Sequence, residues 1–182
     1  EGISFCIAKD ASWYIPFTLN KNKDNLLSLL KNIFENNNYN FCSQNIKHHM
    51  ILLSNQDIAL KAKFYDIILA EHLLNPEWHS YKLDFMSIDY CQYNMKFNSE
   101  FFKSEKDILT LSDFEIEDQE FYCCERADII FQIYPLQKQK LISENLYDYY
   151  EKIEKPLIEV LSDIEKTGVY IDVQILQQLS LE

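Results

Sequence analysis

Gly2 and Gly168 are the only glycines in a chain of 182 residues. Glycine supplies the left-handed and close-approach backbone on which phosphate-cradling loops depend. Without it, P-loop and Rossmann-type nucleotide folds are excluded. The rest of the pattern is α/β for two thirds of its length. Gly2-Ile3-Ser4-Phe5-Cys6-Ile7-Ala8 and Ser12-Trp13-Tyr14-Ile15-Pro16-Phe17 are β-prone runs divided by Lys9-Asp10-Ala11, a hairpin signature. Helical spacing begins at Asn25, with Leu26, Leu29, Leu30, Ile33 and Phe34 on one face and Asp24 as the N-cap. Asn36-Asn37-Asn38 ends that helix, and Tyr39-Asn40-Phe41-Cys42 reads as a strand.

Ser43 is placed to cap a helix over 45–55, followed by a strand over 60–65 and a helix over 67–74 that Asn75-Pro76 breaks. Ser80 is expected to cap a further helix holding Leu83, Met86 and Ile88, and 92–112 reads as loops and short helices. The last third is helical. A long helix from near Glu117 meets Pro135, which should kink or split it. A second long helix after Leu141 is interrupted by Pro156 and ends at Thr167-Gly168, with Gly168 just past its end. Val169-Tyr170-Ile171 reads as a short strand and Asp172 as the cap of a terminal helix. This alternation predicts a layered α/β domain with an all-helical tail.

The chain carries 29 acidic and 17 basic residues, a net charge of −12. Proteins that hold nucleic acid through phosphates present a basic face, so tight autonomous DNA binding is not expected. Apolar runs such as Ile67-Ile68-Leu69-Ala70 are too short to span a membrane. No secretory signal is present, and a first residue other than Met reads as a shortened piece of a longer protein. Cys6, Cys42, Cys91, Cys123 and Cys124 form no CxxC or zinc spacing and read as reduced structural thiols in a cytosolic protein. Adjacent helical residues diverge by about 100°, so His48 and His49 are not expected to share a metal ion. Trp13, Trp78 and the other aromatics read as core rather than as base-stacking platforms.

Five stretches, in order, resemble one family. Gly2 to Pro16 is similar to its second and third strands, and Gln44-Asn45-Ile46-Lys47-His48-His49 resembles its Gln-Asn-Leu-Lys-Tyr-Asp motif. Phe64-Tyr65-Asp66, Leu73-Leu74-Asn75-Pro76 and Leu83-Asp84 match a third group, and Tyr122-Cys123-Cys124-Glu125-Arg126-Ala127-Asp128 matches a fourth. Tyr150 to Asp172 looks like the junction that leads into a polymerase. The family is the 3'-5' exonuclease domain of bacterial family A DNA polymerases. The resemblance implies a ribonuclease H-like fold, a mixed sheet flanked by helices, with a C-terminal helical extension. It also implies an exonuclease-like domain over 1–142 and a helical junction over 143–182.

The departures bear on chemistry. Where the resemblance implies metal-binding aspartates, His49 and Arg126 stand instead. A guanidinium has no lone pair to donate and stays positive. At about 5 Å and an effective dielectric of about 20 it repels a divalent ion by roughly 6–7 kcal/mol. The family's Asp-x-Glu motif would lie ahead of Glu1, on a strand central to the sheet. Glu125 and Asp128 point about one helical step away from Arg126 and are not expected to replace it.

The expectation is therefore a non-catalytic domain with no catalytic residues, no metal and no cofactor of its own, in a polymerase acting in DNA replication and repair. Asn45 and Tyr122 are the positions that the resemblance places near single-stranded DNA. The implied partners are the polymerase domain of the same chain and, weakly or indirectly, DNA, with no membrane. The implied location is the cytoplasm and nucleoid, and self-association is expected if the central strand is missing. Two other readings are an active proofreading exonuclease with an unusual metal shell and a protein-interaction module. An intact Asp-x-Glu upstream would favour the former.

Overall fold

The computed structural model describes residues 2–17, 22–96 and 111–180. It opens with an antiparallel hairpin, β1 (Gly2–Ala8) and β2 (Ala11–Pro16), in which Ser4 faces Tyr14 and Phe5 faces Trp13. The tight turn puts Asp10 at φ 61°. Helix α1 (Lys23–Phe34) starts at Asn22 rather than at Asp24, which lies in its first turn. It buries Leu30 and Phe34, while Leu29 turns outward at 57% exposed. Strand β3 (Asn40–Ser43) runs parallel to β4 (Lys63–Asp66), with α2 (Ile46–Ser54) between them in the chain. Helices α3 (Ile67–Leu74) and α4 (Leu83–Cys91) follow.

The expected sheet is divided. β1 pairs only with β2, and β3 only with β4, giving two separate two-stranded sheets among the described residues. Both lie against α5 (Ile116–Ser143), which packs on β1, β2 and β3. Phe34 of α1 also bridges them, its ring centroid 6.1 Å from that of Phe5 on β1 and 4.9 Å from that of Phe41 on β3.

α5 runs unbroken through Pro135, so of the expected kink or split the split does not occur. It buries Glu125, Ile129, Ile133, Gln137 and Leu141 at four-residue spacing, and Pro135 sits on the exposed side. The ring meets solvent rather than the core, and the packed face keeps the helix whole despite one lost backbone bond. A helical turn, α6 (Tyr147–Tyr149), then runs into a π-turn (Tyr150–Glu154) and α7 (Lys155–Thr167). The wider π-turn relieves the clash that Pro156 would make with the carbonyl four residues earlier. Gly168 ends α7 at φ 70°, a left-handed conformation that favours glycine.

Three local expectations are corrected. Neither Ser43 nor Ser80 caps a helix, because each helix begins three residues beyond its serine, after Asn45 and Lys82. Val169-Tyr170-Ile171 is not a strand. No strand among the described residues pairs with it, and Tyr170 is 92% exposed. Of the expected loops over 92–112, residues 97–110 lie outside the described residues, and Leu111–Asp113 forms a 3-10 turn. Asp172 does cap α8 (Val173–Leu179), accepting from the backbone N–H groups of Gln174 and Ile175.

The main core joins Tyr65, Ile67, Ala70, Leu83, Met86, Met95, Ile129, Ile133, Leu141 and Tyr150. Burial of such side chains contributes about 1.5–3 kcal/mol each. Tyr150 carries the start of the helical tail into this core, since it is fully buried. The far side of that tail stays uncovered. Ile153, Leu157, Val160, Leu161 and Ile164 form a stripe that is 40–56% exposed. No helix among the described residues is long and apolar enough to cross a membrane.

Candidate active-site region

One buried carboxylate organises the entrance to α2. Asp66 closes β4 and receives the Ile46 N–H on Oδ2 at 2.7 Å. Its Oδ1 receives the N–H groups of Ile68 at 2.9 Å and Leu69 at 3.2 Å. The same side chain thus serves the first turns of α2 and α3, whose N–H groups have no partner within their helices. Burial raises the Asp66 pKa, and the backbone donors work against that rise. The Asp66 N–H in turn donates to the Tyr150 hydroxyl at 2.7 Å. Asn45, immediately before α2, is exposed, in the left-handed region at φ 61°, and makes no side-chain cap.

His49 lies one turn into α2, half-buried, with Nδ1 3.0 Å from Ser43 Oγ. Burial, and then the neighbouring His48, hold its pKa below the ordinary imidazole value. For a histidine depressed in the folded state, stability is lost as pH falls from about 6.5 toward the lower folded value. The decline in thermal midpoint below about pH 6.5 should therefore be shallower in His49→Gln than in the parent. Parallel declines in the two proteins would remove His49 as the source.

On α5, Tyr122 and Arg126 stand four residues apart on one face, the guanidinium carbon 4.9 Å from the ring centroid. Arg126 is the only arginine in the sequence. It is half-buried, and no ion pair to it occurs among the described residues. The adjacent carboxylates are engaged elsewhere. Glu125 is buried and accepts from the Tyr93 hydroxyl at 2.8 Å and the Lys96 N–H at 2.9 Å. Its hydrogen bond, followed by burial, pushes the Tyr93 pKa up to about 12. Asp128 accepts from the Asp10 N–H at 2.8 Å and from Gln132 Nε2 at 2.6 Å. These two side chains tie α5 to the hairpin turn and to the segment after α4.

All five cysteines are free. Burial raises every one of their pKa values, to about 11 for Cys42 and Cys123. They are therefore thiols at neutral pH, which fits a structural role.

The contacts join Tyr122 to Arg126 and, through backbone bonds, Asn45 to His49, and none joins the two pairs among the described residues. The donor set does not fit a two-metal nuclease centre, which needs anionic oxygens around its cations. Arg126 contributes positive charge, and His49 presents Nδ1 to Ser43. No group of three or more His, Cys, Asp or Glu residues among those described is arranged to hold a metal. Sequence reasoning missed the organising role of Asp66. Its signal was an Asp at the end of a β-prone run directly before an apolar helix, the standard place for an N-cap.

A family model described as 3'-5' exonuclease matches residues 1–142. DNA polymerase I from Rhizobium leguminosarum is 28% identical over 156 residues, covering 86% of this chain and 15% of the relative. DNA polymerase I from Borreliella burgdorferi is 25% identical over 181 residues, covering 97% of this chain and 19% of the relative. The chain therefore spans less than a fifth of either protein. A solved structure described as the POL domain of Pol1 from M. smegmatis, in complex with DNA primer-template and dNTP, superposes with a TM-score of 0.70 at 18% identity. That likeness covers 93% of this chain and 26% of the other, and it is a likeness of fold.

Proposed function

This chain belongs to the 3'-5' exonuclease family, and from that premise we propose that it is a non-catalytic exonuclease-like domain of a DNA polymerase I. In this reading it supports the polymerase and helps to place the duplex while removing no nucleotides. The observation that carries it is Arg126, which stands where the family motif has a metal-binding aspartate, stacked on Tyr122 and unrelieved by Glu125 or Asp128. Nucleotide addition would belong to another part of a longer polypeptide, consistent with the small share of the relatives that this chain spans. Residues 1–142 would be the exonuclease-like domain and 143–182 the junction. The exposed stripe Ile153, Leu157, Val160, Leu161 and Ile164 would meet the polymerase part. Such a protein would work in the cytoplasm, at the nucleoid.

Calorimetric titration with Mg²⁺ or Mn²⁺ tests this reading. Binding no tighter than that of a generic acidic surface is expected, and a saturable site at micromolar metal would refute it.

The finer fold in this proposal is ribonuclease H-like. Its support is the pair of two-stranded sheets set against one helix, each of β1 and β3 carrying an edge with no strand partner among the described residues. Unpaired backbone groups are costly when buried and adhesive when exposed. A polypeptide with an added strand ahead of Gly2 should melt higher and stay monomeric, whereas this chain should self-associate. Equal thermal midpoints and equal monomeric masses for the two would count against a strand between β1 and β3.

A further inference from the structure

We propose that the groove between α7 and the connection from α2 to β4 is a binding site for an aliphatic diamine. It measures about 410 Å³, within the roughly 300–1,000 Å³ of small-molecule sites. Met50, Ile58 and Leu60 give it an apolar lining, and Met50 and Ile58 are buried. Asp57 borders it from the connection and Glu159 from α7. Both are exposed, and neither carboxylate forms an ion pair or hydrogen bond among the described residues. The groove's other carboxylates, Glu35 and Asp163, are taken by Lys31 and Lys61 and by Lys166. An ammonium group at each border, with methylenes over the apolar lining between, matches this arrangement.

An independent observation comes from Ser162, on the same face of α7. A hydroxyl within a helix ordinarily returns to a carbonyl one turn earlier. Ser54 does so, donating to the Ile51 carbonyl at 2.8 Å, and Thr167 donates to that of Asp163 at 2.8 Å. Ser162 does not. It lines the groove at 1% exposed, and its Oγ is buried with no hydrogen-bond partner. A buried hydroxyl left unpaired is costly, and its lone pairs suit an ammonium N–H.

The acidic groups do not converge as metal ligands do, since no group of three or more His, Cys, Asp or Glu residues among those described is arranged to hold a metal. A chain-like dication needs no such convergence. Its binding would also have a mechanical effect. α2 and α7 meet through Ile46, Met50 and Ile158 and through the Lys47–Glu165 pair. A ligand held by Asp57, Glu159 and Ser162 would add a second tie between the α/β part and the helical tail. None of these residues belongs to the altered motif, and the groove would bind its ligand whether or not the domain cuts DNA.

The test is calorimetric titration at low salt with putrescine and with hexamethylenediamine. At least one should bind saturably, and hydrogen exchange over α7 should slow when it is bound. Hexylamine keeps the methylenes with a single charge, and should bind about fivefold more weakly, the loss expected for one exposed ion pair. Asp57→Asn and Glu159→Gln should each weaken the diamine by about the same factor. Asparagine suits position 57, where φ is 56°. Ser162→Ala should weaken the diamine too, yet leave the thermal midpoint unchanged or higher, because the hydroxyl it removes has no partner in the fold. Thermal midpoints of the other two variants show that they fold. No saturable binding of either diamine at millimolar concentration would overturn the site. So would unchanged affinity in the three variants, or displacement of the diamine by an equal concentration of Mg²⁺, the mark of a diffuse acidic surface.

Discussion

Replacing Asp66 by alanine is expected to remove most of the protein's stability. Three backbone N–H groups lose their acceptor, that of Ile46 in a buried setting and those of Ile68 and Leu69 in a part-buried one. Each orphaned donor costs about 1–3 kcal/mol, so a loss of roughly 3–9 kcal/mol is expected for the three. Total stability for a domain is about 5–15 kcal/mol. Urea unfolding should show the midpoint collapsing, with Asp66→Asn intermediate because it keeps one acceptor oxygen. The pH dependence has a definite sign. Burial raises the Asp66 pKa, so its protonation-linked stability is complete below about 3.9 and is lost as pH rises through the folded value. The parent should therefore gain on Asp66→Asn as pH falls. A loss below about 1 kcal/mol in Asp66→Ala would show that water or a backbone shift satisfies those donors.

Tyr150→Ala should cost nearly as much. Tyr150 is fully buried in the main core, its ring centroid 4.9 Å from that of Tyr65. Removing so large an aromatic costs about 3–5 kcal/mol. Tyr150→Phe keeps the packing and loses only the acceptor for the Asp66 N–H, so about 1 kcal/mol is expected. The helical tail should also loosen in Tyr150→Ala, seen as faster hydrogen exchange over α7. Unchanged exchange there would mean that Ile158 and the Lys47–Glu165 pair hold α7 without Tyr150.

Local pattern carried much of this fold. Alternation in Gly2 to Phe17 located the hairpin, and apolar spacing located α1, α3 and α5 to within a residue or two of their ends. Chemistry at the ends of elements was less legible. Ser43 and Ser80 have the residue type of a cap, but the chain enters α2 through left-handed Asn45 and α4 from extended Lys82. Pro135 carries a helix-breaking signal, which its place on the exposed side of a packed helix overrides. The divided sheet could not be read from spacing, since pairing depends on residues far apart in the chain. At the site, motif resemblance picked out Asn45, His49, Tyr122 and Arg126 as positions. That Arg126 lies over Tyr122, and that Glu125 and Asp128 are spent on Tyr93, Lys96 and Asp10, is tertiary information.

Release of nucleotides from the 3' end of a labelled DNA strand, followed in single turnover with excess protein and Mg²⁺ or Mn²⁺, decides whether this domain is a nuclease. With Arg126 at the aspartate position and His49 presenting its ring to Ser43, the strand should stay full length to the limit set by a protein-free control. A metal-dependent ladder of shortened products, abolished by EDTA, would contradict the non-catalytic assignment and return the chain to the active members of its family.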